Sequence, residues 1–249
     1  MANKALRSLG LWGTTLVLTP ATALVAGYSA LAGDRKGKVW WPASRAWAAS
    51  ILNAAGVTEF IVRGDEVIYD AQPVILMANH ESQLDPPAMM RSSRRPIGFL
   101  AKHELKRIPV FGWAAERTGH VFVDRRSKDR SHASIDTAAR RIAEGRCVMV
   151  FPEGTRSQTG ELLPFKKGGF VLALKAGVPI VPVGIAGTHA IFPPHARLVH
   201  ETGPVAVVYG QPIAVSDYTL DTKDALSARV REAINDARTT ARALVAGRP

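Results

Sequence analysis

Apolar and polar positions divide this chain into two unlike parts. From Ser8 to Gly33 no Asp, Glu, Lys or Arg occurs. A helix of that length reaches across a bilayer core of about 30 Å. The stretch is only weakly apolar, rich in Ala, Gly and Thr, and Pro20 interrupts it. A second apolar stretch, Val39 to Val57, carries Trp40, Trp41, Trp47 and a single charge, Arg45. Tryptophan favours the membrane–water interface, with its ring in lipid and its N–H toward water. Lys4 and Arg7 precede the first stretch, and Arg35, Lys36 and Lys38 follow it. Basic residues on both flanks predict a helical hairpin that enters one leaflet and returns, its cations on lipid phosphates. Two other readings stay open: a leader cleaved after Ala30-Leu31-Ala32, and a hairpin buried in a soluble core.

Beyond Gly56 the period changes. Short β-rich runs alternate with helical patterns. Strands are predicted at Phe60–Val62, Glu66–Tyr69, Pro73–Ala78, Ile97–Ala101, His120–Val123, Cys147–Phe151, Pro179–Ile185 and Val205–Tyr209. The run Pro73–Ala78 is apolar throughout, as in a strand buried on both faces. Asp85-Pro86-Pro87 reads as a helix start, with Asp at the N-cap and proline in the first turn. Leu105–Arg117 and Gly168–Ala176 read as helices. Ile135, Ala138, Ala139 and Ile142 share a helical face that ends at Gly145. Leu226, Val230, Ala233, Ile234 and Ala237 mark a C-terminal helix, and Ile191–Pro204 reads as a loop. The alternation predicts an α/β fold, a layered mixed central sheet flanked by helices. The expected division is an N-terminal apolar helical hairpin, membrane-associated, over 1–57 and an α/β domain over 58–249.

Composition adds charge and excludes some chemistry. The 249 residues hold 32 Lys and Arg against 21 Asp and Glu, a net charge of +11. Such a surface attracts lipid headgroups, phosphorylated substrates or nucleic acid. No nucleic-acid motif is present, and the aromatic residues are not interleaved with basic ones. The lone Cys147 excludes an intramolecular disulfide framework and a cysteine-rich zinc site. The seven histidines do not cluster at metal-ligand spacing. No Walker loop, dinucleotide fingerprint or nucleophile elbow occurs.

Four segments carry candidate chemistry. In Asn79-His80-Glu81-Ser82-Gln83-Leu84-Asp85, His80 stands just past an apolar strand, and sites collect at the carboxyl ends of strands. Asp85 is close enough in sequence to fold back on the imidazole, fix its tautomer and stabilise its charged form. Asp85 also fits a purely structural N-cap. Phe151-Pro152-Glu153-Gly154-Thr155-Arg156-Ser157 puts a carboxylate, a glycine, two hydroxyls and a guanidinium on one strand-end loop. Arginine offers a planar fork for phosphate; a Glu–Arg loop clamp is the structural alternative. Gly119–Arg126 places Arg125 and Arg126 at another strand end. Phe165-Lys166-Lys167-Gly168-Gly169 opens a helix, where an anion is favoured. Both are equally compatible with a solvated basic surface.

In this order the segments resemble the glycerolipid acyltransferase family. Its pattern N-H-x-S-x-x-D, G-x-x-F-V-x-R, F-P-E-G-T-R-S and V-P-I-V-P-V is matched at Asn79–Asp85, Gly119–Arg125, Phe151–Ser157 and Val178–Val183, within about residues 57 to 210. The resemblance implies an acyltransferase-like α/β fold and an N-terminal membrane-docking element. It implies transfer of a fatty acyl group from a thioester, acyl-CoA or acyl-carrier-protein, to the sn-2 hydroxyl of 1-acylglycerol-3-phosphate, without metal or cofactor. His80 would be the general base and Asp85 its orienting carboxylate. Glu153 and Gly154 would help place the glycerol backbone, and Thr155 and Ser157 would be further substrate-binding residues. Arg156, Arg125 and Lys102 or Lys166 would hold the phosphate. The partners implied are a lysophospholipid, the acyl donor and an anionic membrane, at the cytoplasmic face of the inner membrane. Other acceptors stay open (glycerol-3-phosphate, a lyso-ornithine lipid, another lysophospholipid), as does a non-catalytic anionic-lipid-binding protein. Glu81 departs from the motif residues and adds negative charge beside the base.

Overall fold

A computed structural model of the chain describes residues 2–34, 36–68, 73–123, 128–143 and 145–247. Seven strands form one sheet: β1 (Val57–Arg63), β2 (Ile75–Ala78), β3 (Ile97–Lys102), β4 (Val121–Val123), β5 (Cys147–Val150), β6 (Ile180–Ala186) and β7 (Gly203–Tyr209). Their spatial order is β1-β7-β6-β2-β5-β3-β4. The five strands from β6 to β4 run parallel; β7 is antiparallel to β6 and parallel to β1. The sheet is therefore mixed, in agreement with the expected fold class.

Every residue of β2, β5 and β6 is buried, because helices cover both sheet faces. Side chains alternate across the sheet. Leu76, Ala78 and Met149 pack with α2 (Trp40–Ala55) and α3 (Asp85–Ser92) on one side. Ile75, Met77, Val148 and Val150 pack with α5 (Lys128–Ala143), α6 (Gly168–Ala176) and α8 (Lys223–Ala246) on the other. Between them run α4 (Phe111–Arg117), which packs on the N-terminal helix α1 (Ala2–Leu31), and the single-turn α7 (Thr188–Ile191). Gly184 of β6 lets α8 approach closely. A Cβ there would overlap the backbone of Ala237 and Arg238.

Three expectations are corrected. Glu66–Tyr69 is not a strand: Asp65–Ile68 is a 3₁₀ turn that drops Ile68 into the core, and Tyr69 lies outside the described residues. The Leu105–Arg117 helix is broken. A 3₁₀ turn, His103–Arg107, precedes α4, and between them Pro109 and Val110, at φ 63°, turn the chain. Trp40 and Trp41 are core residues, 4% and 2% exposed, and their indole N–H groups donate to the Asp34 and Ser93 carbonyls. Trp47 donates to Thr19 Oγ1 and ties α2 to α1. The exposed apolar surface lies on α1 instead, at Leu6, Leu9, Leu16, Val17 and Tyr28. The α1 helix is long and apolar enough to cross a membrane by length and composition.

Candidate active site

Three adjacent parallel strands, β5, β2 and β6, deliver their carboxyl ends to one edge of the sheet. The segments leaving them carry Glu153, His80 and Thr188. Asn79 sets the geometry where β2 stops. Its side chain donates to the Ile185 carbonyl at 2.9 Å and accepts from the Ile185 N–H at 2.8 Å. It thus replaces one backbone rung between β2 and β6, and the chain is free to turn away at His80.

His80 Nδ1 lies 2.8 Å from Asp85 Oδ2. The same oxygen accepts the backbone N–H groups of Glu81 and Ser82, at 2.7 and 2.8 Å. Asp85 Oδ1 accepts the Thr188 hydroxyl at 2.7 Å. The fully buried carboxylate is therefore held by four donors, as a buried anion must be. Asp85 does not cap α3: its side chain turns back to the loop, and Leu84 takes the N-cap position. The His80 ring stacks on Phe151, centroids 4.0 Å apart. With Nδ1 committed and the ring face covered, Nε2 is the nitrogen left to the groove.

Glu153 ties the second loop to the first. Its Oε1 accepts the His80 backbone N–H at 2.7 Å, and its Oε2 accepts the Leu163 N–H at 2.8 Å. Burial raises its pKa, and these two N–H donors oppose the rise. The Ser157 N–H donates to the His80 carbonyl at 2.7 Å. The two motif loops are thus stitched by backbone groups on both sides of His80. Gly154, at φ 72°, turns the loop beside the base. Ser157 is buried with its hydroxyl unpartnered, and Arg156 Nη1 is likewise buried and unpartnered. That nitrogen is enclosed by protein, and Arg156 is not among the residues that line the groove described below.

Thr155 and Lys166 are exposed. Lys102 is described only as the end of β3, and Arg125 lies outside the described residues. The structure therefore brings together His80, Asp85, Glu153, Gly154 and Ser157, while Arg156 follows in the same loop without lining the groove. Among the described residues, no group of three or more His, Cys, Asp or Glu is placed to hold a metal ion.

A groove of about 400 Å³ opens from His80 and Gly154 and runs beneath α1 and α4. Its walls are largely apolar, with Ala23 and Ala26 from α1, Trp47 from α2, and Ala114 and Ala115 from α4. His120 also lines it, stacked on Phe99 at 5.6 Å. Burial pulls the His120 pKa down to about 4, against a hydrogen bond with Ala115. That imidazole is neutral at physiological pH. Glu81 points away from the groove toward α8. Burial, and then the Asp85 charge, push its pKa up to about 8, against Arg238 and Arg242.

Thr188, Asn79 and Leu163 were not legible as site residues. Thr188 is 103 residues from Asp85, and only the β2–β6 pairing brings them together. Asn79 was visible as a motif letter, without its role.

Comparisons with known proteins give the family and the fold. The acyltransferase family model matches residues 59–186. A 1-acyl-sn-glycerol-3-phosphate acyltransferase of Chlamydomonas reinhardtii is 32% identical over 203 residues, 82% of this chain and 58% of the relative. That of Borreliella burgdorferi is 39% identical over 138 residues, 55% of each. The chain thus spans little more than half the length of these relatives. The crystal structure of the 1-acyl-sn-glycerophosphate acyltransferase PlsC of Thermotoga maritima has the same fold. Its TM-score is 0.79, with 24% identity and 96% of both chains covered. The matched segment takes in just over half of the sequence and holds β2, β5, β6 and the His80–Asp85 pair, so the chain belongs to the acyltransferase family.

Proposed function

We propose that the protein transfers a fatty acyl group from an acyl thioester to the sn-2 hydroxyl of 1-acylglycerol-3-phosphate, forming phosphatidic acid. One observation carries the reading. A histidine with a buried carboxylate on Nδ1 stands at the mouth of an apolar groove. His80 Nε2 takes the proton from the acceptor hydroxyl. The oxygen attacks the thioester carbonyl, and Asp85 stabilises the imidazolium that forms. The tetrahedral intermediate expels thiolate, which takes the proton back from His80. No covalent acyl-enzyme is needed. A base at this position contributes about 10²–10⁴-fold, and alignment of the two substrates supplies much of the rest. The groove takes the acyl chain, and Arg156 the phosphate.

The same reading puts α1 on the membrane. Leu9, Leu16 and Tyr28 are at least 70% exposed on this helix, and its other side forms a groove wall. A lipid acceptor then reaches His80 from the leaflet without crossing water. The cytoplasmic face, where acyl thioesters are made, is the side proposed.

The test is acyl transfer by purified protein in vesicles. Lysophosphatidic acid is offered with long-chain acyl-CoA and with acyl-carrier-protein, and His80→Ala is run beside wild type. Phosphatidic acid from wild type and almost none from the folded variant is expected. A folded variant as active as wild type would remove His80 as the base. Product only from another lysolipid would move the acceptor.

A further inference from the structure

The family match ends at residue 186, yet helix α8 reaches back into the catalytic loops. Arg231, Arg238 and Arg242 lie at helical spacing on the side of α8 that meets the turn at residues 160–163. Arg231 grips two successive carbonyls: Nη1 donates to Leu163 at 2.6 Å and Nη2 to Leu162 at 2.8 Å. Its guanidinium also sits over the Phe165 ring, 5.1 Å from the centroid. Arg238, 3% exposed, and Arg242 both donate to the Gly160 carbonyl. The missing Cβ at Gly184 lets α8 come close enough to do this.

The held turn is not a bystander. Its Leu163 N–H occupies one oxygen of Glu153, and the other oxygen holds the His80 backbone N–H. An unbroken path of short hydrogen bonds therefore runs from α8 to the base. We propose that Arg231 is a positioning residue for the acyl-transfer reaction: through the Leu162 and Leu163 carbonyls it holds the turn that orients Glu153 against His80. The inference rests on the acyl-transfer reading for its kinetic consequence and on the structure alone for its path. A fork of two charge-assisted bonds fixes the orientation of the turn as well as its distance. Lysine keeps the charge and loses the fork.

Two measurements test it. The first is steady-state kinetics of Arg231→Met, Arg231→Lys and Glu153→Gln, with the double variant Arg231→Met/Glu153→Gln. Arg229→Ala, which removes a surface pair with Glu232 on the same helix, is the control. Misplacing a base by a fraction of an ångström predicts a kcat loss of about 10-fold or more in Arg231→Met, with KM for the acyl donor within about twofold. Arg231→Lys should recover part of the loss, and Arg229→Ala should match wild type. If Arg231 acts through Glu153, the double variant falls no further than Glu153→Gln alone. Multiplying losses, a rise in KM alone, or a folded Arg231→Met with wild-type kcat would each overturn the proposal.

The second measurement is amide hydrogen exchange in wild type and Arg231→Lys, which needs no turnover. Exchange at Leu163 and His80 should speed up about 10-fold or more, with the buried β7 amides unchanged. Unchanged protection at both amides overturns the path. A wild type that makes no product with any acceptor would sink the reaction while leaving the exchange result to stand or fall by itself.

Discussion

Asp85→Asn separates the charge of Asp85 from its shape. The carboxylate accepts from three donors at Oδ2 and one at Oδ1. Asparagine has one acceptor oxygen and one NH₂ group in the same outline. The favoured rotamer puts the amide oxygen where Oδ2 was, keeping the Glu81 and Ser82 N–H bonds. Its NH₂ then faces Thr188, whose hydroxyl turns to accept. The loop keeps its bonds, so the loss of folding stability stays near that of one weakened hydrogen bond, about 1 kcal/mol. The base loses its anion. A charge about 4 Å from the imidazolium, at an effective dielectric of about 20, is worth about 4 kcal/mol. At about 1.4 kcal/mol per decade that is close to a thousandfold in kcat. Neighbouring dipoles recover part, so a fall of about 10²–10³-fold is expected. Phosphatidic acid formation under saturating acyl-CoA and lysophosphatidic acid reads it directly, with KM for both substrates little changed. A folded Asp85→Asn enzyme within fivefold of wild-type kcat would refute the assignment, because no rearrangement of neutral groups replaces a buried anion.

Three further substitutions probe the surroundings. Glu81 titrates near 8 in the folded protein against an ordinary 4.5, so the folded state binds the proton more tightly and stability falls as pH rises through that window. Glu81→Gln should flatten the decline in Tm between about pH 4.5 and 8, and an unchanged slope would place the titration elsewhere. His120 has the opposite sign: its folded value near 4, against 6.5, means stability is lost as pH falls from about 6.5 to 4. His120→Phe, which can keep the stack on Phe99, should reduce the Tm difference between pH 7 and 4.5; a difference as large as that of wild type counts against it. Asn79→Ala strands the buried N–H and C=O of Ile185, at about 1–3 kcal/mol for each group left unpaired. Denaturant unfolding should report a loss of about 2–6 kcal/mol, and a loss below 1 kcal/mol would mean that the rung is replaced.

The parts of this protein legible from sequence are those where one local pattern has one physical outcome. Apolar runs such as Ile75–Ala78 and Ile180–Ala186 are buried on both faces, and in an α/β chain they become central strands. His80 and Asp85 are five residues apart, so a single loop decides whether they meet. The corrected elements depended on distant packing. Glu66–Ile68 has β-forming residues, but the chain turns there to bury Ile68. The tryptophans at 40 and 41 have an interfacial composition, yet their N–H groups find carbonyls in the protein and their rings join the core. Thr188 carried no signal, because its partner is defined by strand order and not by spacing. The arginines of α8 carried no signal either, because packing alone brings the 160–163 turn against them.

Glu153 shows how a motif letter and a structural role come apart. The resemblance assigns this carboxylate to the acceptor. Here one oxygen holds the N–H of His80 and the other that of Leu163, so its strongest bonds are to the protein backbone. Asp85 likewise takes two of its four donors from the backbone, and Ser157 meets the His80 carbonyl through its own N–H. His80 is fixed by peptide groups, which cannot be mutated, gripped by two carboxylates, which can. That arrangement explains why these carboxylates tolerate burial: each oxygen has a donor, and the desolvation of the charge is offset where it arises. It also divides the labour of the loop. Gly154 lines the groove, while Glu153 holds the His80 loop in place beside it. Removing Glu153 should therefore damage kcat through His80 more than it damages acceptor binding, whereas removing Arg156 should do the reverse.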